Sequence, residues 1–314
     1  MINTQMMKNF RFYDDLVAPM IRDKFPGHEE RIAIGIAGEG SDCFGFDDEL
    51  SRDHDFGTGV CLWLTDEDMA QIGEDLTEAY DELVEQKERS FYTERLKERR
   101  GVMTIHDFYS NILQIDCDTN NCNMTDDMWR RLDHSCLATA VNGNVFRDDL
   151  GQFSRFRKLL LDYYPDSVWH IRIAEKMHEY SAALQVNYQR CMTRGDVVAA
   201  QVCLTGGMMA AMELFFLLNR KYMPYYKWSY KVLTQMDTDG AFSARIDELA
   251  RLKPDEGAWE GTRYQPNRPN LKDRIVALAE DIGYDISELL KEKGFVGRIN
   301  PYLEADVKKV LGQA

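Results

Sequence analysis

Residues 202–218 read VCLTGGMMAAMELFFLL, and this run limits the fold more than any other stretch. It is too apolar to face water. It is also short for a membrane span and carries Glu213 within it. The remaining reading is a helix enclosed by other helices. Its neighbours supply that enclosure. Residues 166–195 read as one long helix ended by Gly195, and 196–222 as a second, more buried one. Further helices are expected around 228–237, 241–252, 270–282 and 285–293, with residues 253–270 as the long loop. Strand signals are nearly absent after residue 150, so this half should be a helical bundle.

The first half has a different texture. Residues 6–24 show helical apolar spacing through Phe10, Tyr13, Leu16, Val17 and Met20. RIAIGIAG (31–38) reads as a strand ended by glycine, HDFGTGVCLWLT (54–65) as the next, and GVMTI (101–105) as a third. Between the second and third, residues 66–87 read as a helix capped by Thr65 or Asp66. A further helix starts at HDFYSNILQI. The expected fold class is α+β: a small mixed-sheet α/β domain over residues 1–150 and a helical bundle over 151–314.

Bulk properties narrow the function. With 44% hydrophobic and 29% charged residues, the chain has the composition of an ordinary globular protein. A net charge of −15 argues against general nucleic-acid binding, which calls for a basic stripe. Seven cysteines without framework spacing suggest a reducing compartment. The first twenty residues place acids where a leader needs an apolar core, so we expect a cytoplasmic protein with no membrane partner. Cys117 and Cys122 have no matching pair, and His106, His134, His170 and His178 show no ligand spacing with cysteines, which argues against zinc.

The chemistry concentrates in GEGSDCFGFDDELSRDHDFG, residues 38–57. Asp53 and Asp55 are two apart at the expected start of a strand, so both carboxylates should share one face, with His54 on the other. Two adjacent carboxylates repel unless a cation lies between them, and Mg²⁺ suits oxygen ligands completed by substrate phosphates. Gly40 lets backbone N–H groups approach a phosphate, and the Ser41 hydroxyl can donate another bond. Arg52 either steadies Asp53 or touches a phosphate. Asp47, Asp48 and Glu49 read as loop surface.

Gly40-Ser41, eleven intervening residues, then Asp53-His54-Asp55 resembles the signature of the DNA polymerase beta-like nucleotidyltransferase superfamily. Together with YYPDSVW (163–169) and RKYMPYYKW (220–228), it looks like an uncharacterised bacterial nucleotidyltransferase-like family. The resemblance implies a nucleotidyltransferase core followed by a helical domain, as in kanamycin-type enzymes. It implies that Asp53 and Asp55 bind one or two Mg²⁺ ions and that Gly40 and Ser41 hold the phosphates of a nucleoside triphosphate, ATP being the one expected. It favours Lys227 as a triphosphate contact, beside Tyr225 and Tyr226, which could stack on a base, although aromatics at this density are more often core.

Such enzymes commonly carry a third acid, and GVMTI has none. Asp107, Asp116 and Glu213 are the alternatives. Asp107 also reads as a helix N-terminal residue, and Asp116 as a loop acid. Glu213 needs a partner, which could be Arg220 or a substrate amine. The expected activity is transfer of a nucleoside monophosphate to a hydroxyl of a small molecule, in the cleft between the two domains. The rivals are a nucleotide-binding module without catalysis and a protein-directed AMP transferase of toxin–antitoxin type.

Overall fold

The structure, a computed structural model, describes residues 5–46, 57–88 and 99–313. It is an α+β chain with two compact units, Met1–Tyr163 and Tyr164–Ala314. The division falls beyond the expected 150/151 boundary because the helix Gln152–Leu161 belongs to the first unit. Phe153 of that helix stacks on Trp63 at 3.7 Å between ring centroids and also lies against Phe108 and Tyr109. Apolar rings of this size hold together what they fill.

The first unit is built on a four-stranded sheet in the order β3-β2-β1-β4. The strands are β1 (Ala33–Ile36), β2 (Cys61–Leu64), β3 (Gly101–Thr104) and β4 (Asn144–Arg147). β1 runs antiparallel to both β2 and β4, while β2 and β3 are parallel. β4 was not anticipated: NVFR is only four residues long and only half-buried, so its alternation is faint. It follows Gly143, where a Cβ would lie against the Ile36 carbonyl oxygen and φ is +67°.

Alternation within β2 assigns the two faces. Leu62 and Leu64 enter a core with Ile34, Ile36, Leu76, Tyr80 and Phe12. That face is covered by the N-terminal helical segment Gln5–Lys24, which contains a π-turn at Tyr13–Val17, and by the helix Asp66–Glu88. The latter is capped by Thr65, whose hydroxyl accepts from the Asp68 N–H at 3.1 Å. Trp63 points to the opposite face, against Phe108 of the helix Ile105–Leu113.

β2 is shorter than expected. Gly57–Val60 are not in the strand, so the shared strand face expected for Asp53 and Asp55 has no support from the described part of β2. Asp47, Asp48, Glu49, Arg52, Asp53, His54 and Asp55 lie outside the described residues.

The second unit is helical. The helix Asp166–Tyr180 continues through a π-turn, Ser181–Asn187, into Tyr188–Thr193. It packs along the helix Val197–Leu218. This last helix is the one described helix long and apolar enough to cross a membrane, and it is buried without a break from Ala210 to Leu218. The helices Tyr226–Met236, Ala241–Arg251, Arg274–Glu292 and Glu304–Leu311 complete the unit.

The two helices expected at 270–282 and 285–293 are one. Gly283 does not break it; a Cβ there would sit 2.5 Å from the Pro301 carbonyl oxygen, so the glycine lets another segment pass close by.

Candidate functional site

β1 leads into the turn Gly38-Glu39-Gly40-Ser41, followed by a short 3₁₀ turn at Asp42–Phe44. Gly38 and Gly40 have φ of +99° and +129°, values that a residue with a Cβ resists. A Cβ on Gly40 would lie 2.5 Å from an Asp42 carboxylate oxygen. The backbone N–H groups of Gly40 and Ser41 donate to no described residue. Two successive unpartnered donors at a left-handed glycine turn form a small concavity suited to anionic oxygens.

The turn is held from beneath. Asp42 is buried and accepts from Arg100 Nη2 at 3.2 and 3.3 Å. Arg100 is itself buried and gives Nη1 to the Arg99 carbonyl at 3.1 Å. Asn9 Nδ2 reaches the other side of Asp42 at 3.4 Å, and Asn9 Oδ1 accepts from Gly59 N–H at 3.3 Å. Asn142 brackets Gly38, accepting its N–H at 2.8 Å and donating to its carbonyl at 2.7 Å. Sequence reasoning missed Asn9, Asp42, Arg100 and Asn142 as a group. Only Asp42 adjoins the glycine-serine pair; the others come from distant parts of the chain.

Both flanks of segment 47–56 tie into this cluster. Phe46 N–H donates to the Ser41 carbonyl at 2.8 Å, and the Gly57 carbonyl accepts from Gln5 Nε2 at 3.0 Å. Gln5 Nε2 also reaches Asn9 Oδ1 at 3.2 Å. The chain therefore leaves and re-enters at the same end of the sheet. The thiols of Cys43 and Cys61 lie here too, and burial pushes both above their ordinary pKa, so neither is a ready nucleophile.

Of the candidate third acids, the two in the first unit, Asp107 and Asp116, lie away from this turn. β1 and β2 are antiparallel, and Leu64 and Thr104 are register partners, so β3 ends at the opposite edge of the sheet. Four-residue strands put those edges about 10 Å apart before the loops are added. Asp107 sits at that far edge in the first turn of its helix, where its N–H is capped by Thr104 Oγ1 at 2.8 Å. Asp116 is nearby, accepting from or sharing a proton with His106 Nε2 at 2.8 Å. Asp107 is thus placed at a helix start and Asp116 beside a histidine.

Glu213 is buried in the second unit and pairs with Lys176 Nζ at 3.1 Å. The expected partner, Arg220, instead pairs with Asp166 at 2.7 Å. The geometry of the helix pair decides this: Glu213 faces the helix Asp166–Tyr180 that carries Lys176, whereas Arg220 lies beyond the end of its own helix. Lys227 is exposed in the first turn of Tyr226–Met236, beside the exposed rings of Tyr225 and Tyr226 at 4.3 Å from each other. These tyrosines are not core.

Comparison with known proteins is sparse. Residues 129–229 match the family model described as Domain of unknown function (DUF4037). The matched segment contains YYPDSVW and RKYMPYYKW, while Gly40, Ser41, Asp53 and Asp55 lie before it. No curated protein and no solved structure matches the chain.

Proposed function

We propose that the protein is a Mg²⁺-dependent nucleotidyltransferase. It would move a nucleoside monophosphate, with AMP as the expected one, to a hydroxyl of a small molecule. The observation that carries this reading is the Gly40–Ser41 turn, with two free N–H donors fixed over the buried Arg100–Asp42 pair. A preorganised donor pair of this kind suits the phosphates of a nucleoside triphosphate.

Asp53 and Asp55 are the residues that would hold Mg²⁺. They supply hard carboxylate oxygens, the donor set that ion prefers, and they are joined to the turn through a segment whose two flanks meet at it. Bound there, Mg²⁺ would supply charge neutralisation to the phosphates. The acceptor hydroxyl oxygen bonds to the α-phosphorus as the bridge to the β-phosphate breaks. Pyrophosphate leaves with the electron pair, and the hydroxyl proton passes to a base. Gly40 and Ser41 would orient the phosphates.

One observation favours a second reading, a nucleotide-binding module without catalysis. Of the three acids considered as the third carboxylate, Asp107 and Asp116 lie at the far edge of the sheet and Glu213 is spent on Lys176. The two readings part in one assay: pyrophosphate release from each of ATP, GTP, CTP and UTP with Mg²⁺, against an Asp53→Asn, Asp55→Asn double variant. Release that requires both acids supports transfer. Triphosphate binding with no release in any acceptor mixture supports the module.

A further inference from the structure

The far edge of the sheet carries a feature that the Gly40–Ser41 turn does not use. β2 and β3 are parallel neighbours, and each passes directly into a helix. The two helices then diverge. Asp66–Glu88 covers the face of Leu62 and Leu64, whereas Ile105–Leu113 covers the face of Trp63. Where helices after adjacent parallel strands leave to opposite faces, a crevice opens beyond the carboxyl ends of the strands, and open α/β sheets bind ligands in such crevices.

That crevice is present. It is open to solvent on one side, and its walls include Thr65, Asp66, His106, Thr119, Asn120 and Arg155. The space it offers at water resolution is about 30 Å³, which suits a small polar molecule lying partly in the mouth and falls short of a nucleoside triphosphate.

The charges on its walls are of both signs and separately placed. Arg155 gives one guanidinium donor to the Asn120 carbonyl at 3.1 Å and pairs with no described carboxylate. Its remaining donors are free for a carboxylate, which a guanidinium fork fits in bidentate fashion. Asp66 pairs with no described cation. His106 is already contacted on both ring nitrogens, by Asp116 at 2.8 Å and by Asp107 at 3.4 Å. The side with Asp66, Asp107 and Asp116 around one imidazole therefore has carboxylate to spare. A bare anion would meet Asp66, and a bare amine would leave Arg155 unused.

We propose that this crevice is a binding site for a small zwitterion of the free α-amino-acid class, with Arg155 taking its carboxylate and Asp66 its ammonium group. The neutral Thr119 and Asn120 would select among side chains. The site is separate from the turn at the other sheet edge, and its test does not depend on nucleotidyl transfer.

The test uses the full chain. The standard amino acids, supplied singly at millimolar concentration, are screened for thermal stabilisation, and hits are measured by titration calorimetry. Inorganic phosphate and methylamine are the single-charge controls. One or a few amino acids should bind while both controls fail. Arg155→Ala and Asp66→Asn should each weaken binding at least about tenfold, the loss of one charge-assisted hydrogen bond. Both side chains are exposed, and circular dichroism checks that the variants fold. Failure of every amino acid to bind overturns the proposal. So does binding of phosphate or methylamine as tight as that of any amino acid, or binding that survives both substitutions.

Discussion

The guanidinium of Arg220 lies 3.7 Å above the ring of Trp169 and also donates to Asp166 at 2.7 Å. Arg220 has a φ of +48°, a left-handed conformation that costs a residue with a Cβ about 1 kcal/mol. Around it, Trp169 Nε1 donates to the Leu217 carbonyl at 2.8 Å, and Tyr164 meets Tyr222 edge-on at 5.2 Å. YYPDSVW and RKYMPYYKW are therefore the two halves of one contact. The ion pair, the cation–π contact and the indole bond together hold the chain in its strained turn after Leu218.

The indole bond gives the first prediction. Trp169→Phe keeps most of the buried ring and removes one of two donors from the Leu217 carbonyl, which keeps the Arg220 N–H at 3.1 Å, so it should cost about 1 kcal/mol. Trp169→Ala should cost about 3–5 kcal/mol, since it also opens a cavity. Urea unfolding of the two variants measures both. Equal losses would mean that the indole N–H contributes nothing.

The Arg100–Asp42 pair gives the second. Side chains only 1% and 7% exposed leave either partner stranded if the other is removed. Arg100→Met alone or Asp42→Leu alone should cost about 3–5 kcal/mol, while the double variant should recover much of that. The double-mutant cycle should show coupling of more than about 1 kcal/mol. Additive losses would sink the idea that the two act as one support.

Gly40 gives the third. Gly40→Ala places a methyl 2.5 Å from Asp42 at a φ that disfavours it. We expect a stability loss of about 1–3 kcal/mol, together with at least tenfold weaker triphosphate binding. Gly45→Ala is the control. Its φ is also positive, at +75°, but its Cβ would meet nothing, so it should lose stability without losing affinity.

The far edge of the sheet gives a pH prediction. Hydrogen bonding to Asp116 holds the His106 pKa above its ordinary value, with Asp107 and the charge of Asp66 adding to it and partial burial opposing. A histidine raised on folding stabilises the fold most below its unfolded pKa of about 6.5, and that contribution fades as pH rises through the folded value. Asp116→Asn should lower the His106 pKa read by NMR titration and flatten the stability profile above about pH 6.5. An unmoved titration curve would show that Asp116 is not its partner in solution.

A second titrating group sits in the other unit. Burial pushes Asp285 up to about 6, with Arg245 opposing. A carboxylate raised in this way favours folding fully below its unfolded pKa of about 3.9 and loses that contribution as pH climbs through about 6. Asp285→Asn should remove that decline between about pH 4 and 6. Denaturant midpoints measured across the window check it.

Periodicity made the larger elements legible. β1, the helix capped by Thr65 and the buried helix Val197–Leu218 can all be read from residue spacing, because each buries a regular face. The Gly40–Ser41 turn is legible for a local reason, since glycine at positive φ leaves a mark in the sequence. Its support is not. Asn9, Asp42, Arg100 and Asn142 are brought together by the tertiary fold, and no local pattern announces a contact across such separations. Glu213 shows the same limit: its burial could be read, but its partner Lys176 could not, because the crossing of two helices sets that pair. Gly283 misled in the other direction. A glycine there reads as a stop, yet its purpose is close approach to Pro301.

β4 is an outermost strand of the sheet, and Arg147 closes it. That arginine is held by Glu29 and Asp149, both in ion pairs. A terminal strand is a template on which another chain can add, and a fixed charge on so short a strand discourages that addition. Arg147 thus closes the strand with a side chain already committed to two carboxylates, tying the end of β4 to the turn before β1 through Glu29 and to the segment after β4 through Asp149.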